Sequence, residues 1–312
     1  MTTIHYDSTH NDQQRRERLY DGDFYVFSPT EQTLDFCRFA RSMIENAFDG
    51  LDPERAQYDI PVRRYAQILG ELKPAFIHHP KSKRHIQATL NSMGVDPART
   101  HFEVPKMRTS TSDGYLTSGI AFAWHPHRDT WYSAAQCQIN WWLPIYEIRA
   151  DNTMTFYPKY WDTPVENSSA GYNYYEWNRK YRGAHVTEYL DEDPRPLPKP
   201  TEDIDTGSEV RLICPVGGVV LFSGAQLHAS VENTSGKTRF SLDFRTVHLD
   251  DLIKNVGAPN IDSSCTGTVL NDFISAADLS GLPESVIAQF QDGTEGMGSS
   301  TFPAPGEESS NN

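Results

Sequence analysis

The sequence predicts a mainly β protein with α-helices, in which a double-stranded β-helix core of the jelly-roll or cupin type carries an N-terminal helical layer. Helical periodicity is confined to residues 28–93, whereas about eight short strand-like segments follow between residues 100 and 247. No strand-like segment is followed by a Gly-rich phosphate loop, which disfavours a nucleotide-binding fold.

A short strand and a helix are predicted first. The strand covers residues 23–27 (DFYVF). Ser28, Pro29 and Glu31 then indicate a helix start, because Ser caps free N–H groups, Pro suits the first turn and Glu reaches back three residues later. Apolar side chains recur at helical spacing until Gly50 ends the helix.

Two further helices complete the predicted layer. One begins near Pro61, which suits a first turn, and ends at about Leu72 because Pro74 blocks continuation. The other covers residues 82–93, just before a glycine. We expect the three helices to pack on the strand-rich part of the chain.

Strands bounded by turn residues form the rest of the predicted core. In the last of them apolar and polar side chains alternate, which is typical of a strand with one apolar and one polar face. A polar inner face is what a ligand-holding barrel needs. The predicted strands cover residues 100–108, 119–124, 136–145, 154–157, 210–214, 219–222, 227–231 and 238–247.

Composition sets the predicted domain boundaries. Residues 1–17 are polar, without apolar periodicity, and are predicted to be a mobile N-terminal tail. Residues 18–291 form a single predicted domain, with an insertion or lid at about residues 163–208 that is rich in Pro, Asn, Asp, Tyr and Gly. Residues 292–312 are mostly Gly, Ser, Pro and Glu and are predicted to be disordered.

Charge and cysteine usage limit the partners and the compartment. The net charge of −14 disfavours nucleic acid and anionic membranes, which need basic surfaces. No apolar run approaches the roughly 20 residues that span a bilayer, and the first residues lack the apolar core of a signal peptide. The four cysteines are scattered without a CxxC pair, so we predict a reduced, cytoplasmic protein, with a homo-oligomeric state left open.

Two histidines and an aspartate form the most informative pattern. His127 and Asp129 make a His-x-Asp triplet, and His228 follows much later in the chain. Two imidazoles and one carboxylate can hold one face of an Fe(II) ion and leave the other face open for chemistry. His-x-Asp occurs four times, but only this copy lies beside strand-like segments and has a later His in another such segment.

The choice of the first histidine rests on strand alternation. Alternate side chains of a strand share a face, so His127 and Asp129 are expected to project to the same side. His125 shares that parity and is a rival ligand. The alternative for the whole set is a group of surface or core histidines without a metal.

Two arginines of the last predicted strand lie on its polar face. Arg239 and Arg245 are about 20 Å apart at roughly 3.3 Å per residue, so only one can serve a co-substrate beside the metal. Arg239 is closer in sequence to His228 and is the predicted co-substrate residue, because its planar fork matches a carboxylate. Arg245 is expected to be either a surface charge or a substrate-pocket charge.

These segments resemble the phytanoyl-CoA dioxygenase family within the Fe(II)/2-oxoglutarate oxygenase superfamily. The stretch from His228 to Arg239 (HASVENTSGKTR) is similar to the second-ligand segment of that family, in its order and its His-to-Arg spacing. The stretch HRDTWYSAAQCQINWWLPIYEIRADNTMTFYP is similar to its first-ligand segment. The resemblance covers residues 18–250 in patches.

The resemblance implies a metal site and a co-substrate site. Its cofactors would be Fe(II), 2-oxoglutarate as co-substrate, and O2. Arg239 would pair with the distal carboxylate of 2-oxoglutarate and Ser230 would add a hydrogen bond. Trp142 lines that pocket or is a core aromatic residue. The implied residues are His127, Asp129 and His228 for the metal, and Arg239, Ser230, Trp142 and Gln138 for the co-substrate.

The implied activity is oxidation of a small molecule, in keeping with specialised metabolism. Related halogenases lack the carboxylate ligand, so Asp129 makes hydroxylation the default, with desaturation, cyclisation and dealkylation left open. Two other interpretations remain. One is a cupin-like metal enzyme that does not use 2-oxoglutarate, and the other is a non-catalytic jelly-roll binding protein.

Three further groups of residues are candidates for substrate contacts. Lys106 and Arg108 are either anion contacts or exposed charges. The aromatic residues between Tyr157 and Tyr181 form either a lid or pocket wall or a packed surface loop. The basic run from His78 to His85 suits a phosphate or a CoA-like group, with a solvated helix start as the alternative.

Overall fold

A computed structural model describes residues 2–121, 125–182 and 186–291. In this part of the chain the strands form one sheet of eight and one of three, and helices pack against the larger sheet. The observed class is therefore mixed α/β with two sheets. The predicted strand at residues 119–124 and the predicted insertion at residues 163–208 are described in part, and the predicted tail at residues 292–312 lies outside the described residues.

The N-terminal residues fold into regular structure, which corrects the predicted mobile tail at residues 1–17. Strand β1 (Ile4–Tyr6) pairs in parallel with strand β2 (Phe24–Phe27), and helix α1 (Asp12–Tyr20) connects them. Asn11 starts α1 through a capping box, in which its side chain accepts a hydrogen bond from the third helical residue.

Contacts with distant residues explain why the sequence did not reveal this segment. Leu19 is fully buried, and Arg16 donates to Asp251 over 2.7 Å. The Tyr20 hydroxyl donates to the same carboxylate over 2.8 Å. Because α1 has little apolar periodicity of its own, its stability depends on partners more than 200 positions away.

The predicted helical layer is present, with a different first cap. Thr30, not Ser28, caps the first of its helices, since the Thr30 hydroxyl accepts a hydrogen bond from the backbone N–H of Thr33 over 3.2 Å. The Ser28 hydroxyl instead donates to Asp7 over 2.7 Å and ties the strand end to the N-terminal segment. The helices are α2 (Glu31–Ala47), α3 (Val62–His78) and α4 (Pro80–Ser92).

Helix α3 continues through Pro74, where the sequence predicted its end. The extra turn places Phe76 in the core, fully buried and stacked on Phe36 with 6.1 Å between ring centroids. Burying a Phe side chain contributes about 1.5–3 kcal/mol, which is comparable with the cost of about 3 kcal/mol for a proline inside a helix. Core packing thus offsets the missing hydrogen bond.

The predicted strand at residues 119–124 is wrong in its described part, where Gly119–Ala121 form a 3-10 turn. Gly119 has a φ of +56°, which favours glycine. A Cβ atom there would lie 2.3 Å from the carbonyl oxygen of Val186 and 2.5 Å from that of Tyr189. The predicted insertion therefore passes directly over this turn, a contact that no local sequence signal contains.

The other predicted strands are present, although the one at residues 100–108 is divided in two. Among the described residues, no helix is long and apolar enough to cross a membrane. The strands are β3 (Thr100–Phe102), β4 (Lys106–Ser110), β5 (Ile139–Pro144), β6 (Met154–Phe156), β7 (Val210–Leu212), β8 (Val219–Ser223), β9 (His228–Ser230), β10 (Arg239–His248) and β11 (Ile274–Ser275). The remaining helices are α5 (Tyr174–Tyr181), α6 (Leu249–Lys254) and α7 (Glu284–Ile287).

Sheet topology places the functional residues between the two sheets. The larger sheet has the order β1-β2-β8-β5-β10-β3-β11, with β4 also on β10, and the smaller has the order β7-β6-β9. Arg239 and Arg245 come from the larger sheet, whereas His228 and Ser230 come from the smaller one. All four line one cavity.

Candidate metal centre

A pair of backbone hydrogen bonds brings the two predicted histidine ligands together. His127 donates its N–H to the carbonyl of His228 over 2.9 Å, and His228 returns the bond over 3.0 Å. This isolated antiparallel bridge places the two rings 4.3 Å apart between centroids. Each of His127, Asp129 and His228 offers a ligand atom within 4.8 Å of the others, and all three residues are buried.

Asp129 reaches this cluster by a turn and not by the strand alternation that the sequence suggested. It begins a 3-10 turn, Asp129–Tyr132, and its N–H donates to the carbonyl of Gly224 over 2.8 Å. The rival ligand His125 has an exposed side chain and is not part of the cluster of possible metal ligands. Its contribution is its backbone carbonyl, which lies 2.8 Å from Nδ1 of His127.

The ring nitrogens of both histidines are assigned by these backbone contacts. Nδ1 of His127 lies 2.8 Å from the His125 carbonyl, and Nδ1 of His228 lies 2.9 Å from the Gln226 carbonyl. A carbonyl oxygen only accepts, so each Nδ1 carries the proton. Each Nε2 is left with a lone pair for a metal ion.

The two oxygens of Asp129 have different surroundings. Oδ2 accepts hydrogen bonds from Gln138 (2.9 Å), Asn140 (2.7 Å) and Arg245 (3.0 Å). Oδ1 lies on the histidine side, 3.6 Å from Nε2 of His127. One oxygen is therefore fixed by the protein, and the other is directed to the possible metal position.

The ionisation states suit metal binding. Burial raises the pKa of Asp129, but the Arg245 guanidinium, together with the neighbouring His127 and His228, outweighs it and holds that pKa well below its usual range. Burial and the neighbouring His127 lower the pKa of His228 to about 3. The donor set is thus one carboxylate with a neutral imidazole at His228, a set that fits a divalent iron with open positions.

Arg245 and Asn140 both contact Asp129, a partner that the sequence did not indicate for either residue. Arg245 is neither a surface charge nor a substrate-pocket charge alone, because it pairs with Asp129 over 3.0 Å and with Glu103 over 2.6 Å. Gln138, predicted for the co-substrate, donates to Asp129 and to Asn140. The shared parity of these side chains was visible in the sequence, but their common partner was not.

We expect Arg245→Met to weaken Fe(II) binding by about 10- to 100-fold, the usual effect of removing an outer-shell partner of a metal ligand. The cause is the loss of the cation that keeps Asp129 ionised and oriented. Anaerobic Fe(II) titration measures the change. Lys106→Met is the matched control, because Lys106 also pairs with Glu103 (2.9 Å) but has no contact with Asp129. Equal losses in both variants would contradict the role.

A second group of predicted residues meets at the start of β10. Arg239 donates to the Ser230 hydroxyl and to the Asn152 carbonyl, both over 3.2 Å, and its guanidinium carbon lies 5.8 Å from the Trp142 ring centroid. Its Nε has no hydrogen-bond partner among the described residues. Burial lowers the pKa of Arg239 to about 10, so it is protonated at neutral pH. A buried guanidinium that has no carboxylate partner in the protein can bind the carboxylate of a ligand.

One cavity of about 820 Å³ is lined both by the three candidate metal ligands and by Arg239. Residues from the predicted insertion form part of its wall, including Tyr172 and Trp177 from the aromatic stretch. Of the basic run, His78 reaches this cavity. Lys106 and Arg108 also line it, half-buried, and each pairs with a carboxylate.

Comparison with known proteins agrees with this site. The sequence matches the profile of the phytanoyl-CoA dioxygenase (PhyH) family over residues 30–241. No curated protein matches the chain.

Solved structures that resemble the fold are remote. The non-heme monooxygenase ThoJ in its apo form has 15% identity and a TM-score of 0.42, covering 75% of this chain and 76% of that chain. EvdO2 from Micromonospora carbonacea var. aurantiaca, complexed with 2-oxoglutarate, has 12% identity and a TM-score of 0.43, covering 77% and 92%. SnoN, a non-heme alpha ketoglutarate dependent epimerase from nogalamycin biosynthesis, has 10% identity and a TM-score of 0.35, covering 76% and 84%.

The family match, and not these remote likenesses, carries the assignment. It spans more than half of the chain and includes His127, Asp129, His228 and Arg239. The resemblance noted in the sequence is therefore confirmed: this chain belongs to the phytanoyl-CoA dioxygenase family.

Proposed function

We propose that this protein is an Fe(II)- and 2-oxoglutarate-dependent oxygenase that uses O2 to oxidise a small molecule, with hydroxylation as the default outcome. One observation carries the proposal. A single cavity contains both a buried His-Asp-His cluster and Arg239, which has no carboxylate within ion-pairing distance among the described residues. A metal ion and a dicarboxylate would satisfy both.

The fold proposed for this function is a double-stranded β-helix. Both sheets supply residues to the lining of the cavity, from β10 in the larger sheet and β9 in the smaller. His228 begins β9 and Arg239 begins β10, so the two residues stand at the ends of strands from different sheets. Such a core would hold the metal and the co-substrate between its sheets.

The protein groups have separate roles in this proposal. His127, Asp129 and His228 would hold the metal through three ligand atoms and leave the cavity side open. Fe(II) supplies activation of O2 coupled to decarboxylation of 2-oxoglutarate. Arg239 would bind the distal carboxylate of 2-oxoglutarate through its planar fork, with Ser230 as its hydrogen-bond partner and Trp142 packed beside it.

Asp129 bears on the outcome of the reaction. Its fixed carboxylate would occupy a ligand position that a halide would otherwise take, so transfer of a hydroxyl group is the expected result. The aromatic residues of the cavity wall, including Tyr132 and Tyr172, suit a small substrate with an apolar body. We also propose a cytoplasmic location, in keeping with four cysteines without a disulfide.

An anaerobic absorption spectrum tests the proposal. Adding Fe(II) and then 2-oxoglutarate is expected to produce a weak visible charge-transfer band, because the three protein ligands would leave the metal open to the keto acid. Succinate, which lacks the keto group, is the matched control and should give no band.

The anaerobic spectrum tests the first alternative, and an aerobic assay of O2 uptake and succinate formation tests the second. A cupin-like metal enzyme that does not use 2-oxoglutarate would bind Fe(II) and show no band on addition of the keto acid. A non-catalytic binding protein would also fail to couple O2 uptake to succinate formation. Either result would overturn the proposed function.

A further inference from the structure

Lys73 is a half-buried cation in the wall of the cavity. It lies on α3 and its ammonium donates to the backbone carbonyl of Ile120. Among the described residues, no carboxylate lies within ion-pairing distance of it. The Ile120 carbonyl is therefore its direct polar partner among the described residues, and Asp243 acts on its charge only at longer range.

The other cations of this wall have carboxylate partners. Arg239 is the exception, and the proposed function assigns it to the co-substrate. Lys73 is the second exception, and nothing in the proposed function uses it. The paired cations are Lys106 with Glu103, Arg108 with Asp243, Arg182 with Asp272, Arg195 with Asp193, and Arg245 with Asp129 and Glu103.

The neighbours of Lys73 make a negatively charged ligand favourable there. Arg108 lies near enough to repel it, although Arg108 itself binds Asp243 through two hydrogen bonds of 2.8 and 3.1 Å. Burial, with a smaller contribution from Arg108, lowers the pKa of Lys73 to about 7, although the more distant Asp243 carboxylate acts in the opposite direction. An anion beside Lys73 would offset both the burial and the repulsion.

The negative net charge of the chain contrasts with the positive charge that Lys73 places in this cavity wall. The protein carries a formal net charge of −14, yet this wall presents an ammonium that has no carboxylate partner within the described part of the chain. Tyr132, Tyr172 and Trp177 line the same cavity and offer flat apolar surfaces. The arrangement fits a ligand with a ring or other apolar body at one end and an anionic group at the other.

We propose that Lys73, assisted by Arg108, binds an anionic group on the substrate, a carboxylate or a phosphate ester, while the apolar body of the substrate lies against the aromatic wall. The inference names a substrate class and so rests on the proposed function for its catalytic meaning. The anion site itself is separate from Arg239 and can be tested without metal or 2-oxoglutarate.

Calorimetric titration of the metal-free protein tests the site. The probes are 3-phenylpropionate, phenyl phosphate and the neutral 3-phenylpropionamide. Wild type is expected to bind at least one anion about tenfold or more tightly than the amide, and Lys73→Met should remove that preference. Lys73→Arg, which keeps a cation, should retain it. The relative affinities of the two anions identify the carboxylate or the phosphate ester as the better match.

Two further variants serve as controls. Lys254→Met removes an exposed lysine of α6 and should change nothing. Arg239 can itself bind a carboxylate, so the comparison of Lys73→Met with its parent is repeated in the Arg239→Met background, where the remaining anion preference should depend on Lys73. Loss of the preference in Arg239→Met but not in Lys73→Met overturns the inference, as does a wild type that binds the amide as well as the anions.

The pH dependence of binding supplies a second test, which does not depend on how well each probe fits the cavity. Affinity for 3-phenylpropionate, which stays ionised, is expected to fall as pH rises above about 7, because the free protein must then take up a proton at Lys73. Lys73→Met should lose this dependence; if it keeps the wild-type slope, another group is responsible and the inference is wrong. The other charged or titratable groups that line this cavity are His78, Glu103, Lys106, Arg108, His127, Asp129, Tyr132, Tyr172, Tyr174, Arg182, Glu188, Arg195, His228, Arg239, Asp243, Arg245 and Asp272.

Failure of this inference and failure of the proposed function are distinguishable. If Lys73→Met binds the anions as wild type does but wild type still gives the Fe(II)/2-oxoglutarate band, only the anion site is wrong. If the band is absent and the anion preference depends on Lys73, the anion site stands and the oxygenase assignment falls.

Discussion

His228→Ala is expected to lower Fe(II) affinity by more than about 100-fold, since even outer-shell partners of metal ligands contribute 10- to 100-fold. The variant removes the one imidazole contributed by β9 and leaves only His127 and Asp129. The iron content of protein reconstituted under anaerobic conditions measures the effect. Oxidation of any substrate and O2-dependent formation of succinate should be lost with the metal.

His125→Ala is the matched control for this variant. It removes the rival imidazole two residues from His127 but keeps the backbone carbonyl that fixes the His127 ring. We expect its iron occupancy to equal that of wild type. Full iron occupancy in His228→Ala, or loss of iron in His125→Ala, would show that the ligand set is wrong.

Arg239→Met is expected to weaken binding of 2-oxoglutarate by about 3 kcal/mol, or roughly a hundredfold, because it removes a buried cation from a charged pair. The concentration of 2-oxoglutarate that half-saturates the charge-transfer band measures the change. Iron affinity should be unchanged, since Arg239 has no contact with the three metal ligands.

Two companion variants separate charge from geometry. Arg239→Lys keeps the cation without the planar fork and should fall between Arg239→Met and wild type. Arg211→Met removes an exposed arginine and should bind 2-oxoglutarate normally. Succinate formation that survives unchanged in Arg239→Met would exclude Arg239 as the co-substrate residue.

The sequence was informative where a local pattern and its physical cause coincide. The apolar spacing of α2 follows from the helical repeat, and the alternation in β10 follows from the two faces of a strand. The pattern from His228 to Arg239 carried the family resemblance, because both residues belong to one strand-turn-strand segment and their spacing can be read directly from the sequence. These features gave the family, most strands and the three residues that cluster at the candidate metal centre.

Local signals failed where a distant partner decides the outcome. The N-terminal helix is held by contacts with Asp251, and the extension of α3 past Pro74 is stabilised by burial of Phe76. The chain forms a turn at Gly119, where the insertion leaves no room for a side chain. In each case the deciding contact joins segments far apart in the chain. Local propensity is a weak preference that such contacts override.

The polar network of the site was decided by tertiary structure alone. Order and spacing in the chain named His127, Asp129, His228 and Arg239, because a motif records which residue types occur and how far apart they are. It does not record which side chains share a partner across a cavity. Only the packing of the two sheets and the helical layer brought Arg245 to Asp129 and left Lys73 without a carboxylate partner among the residues that the structure describes, since electrostatic pairing depends on distances in space.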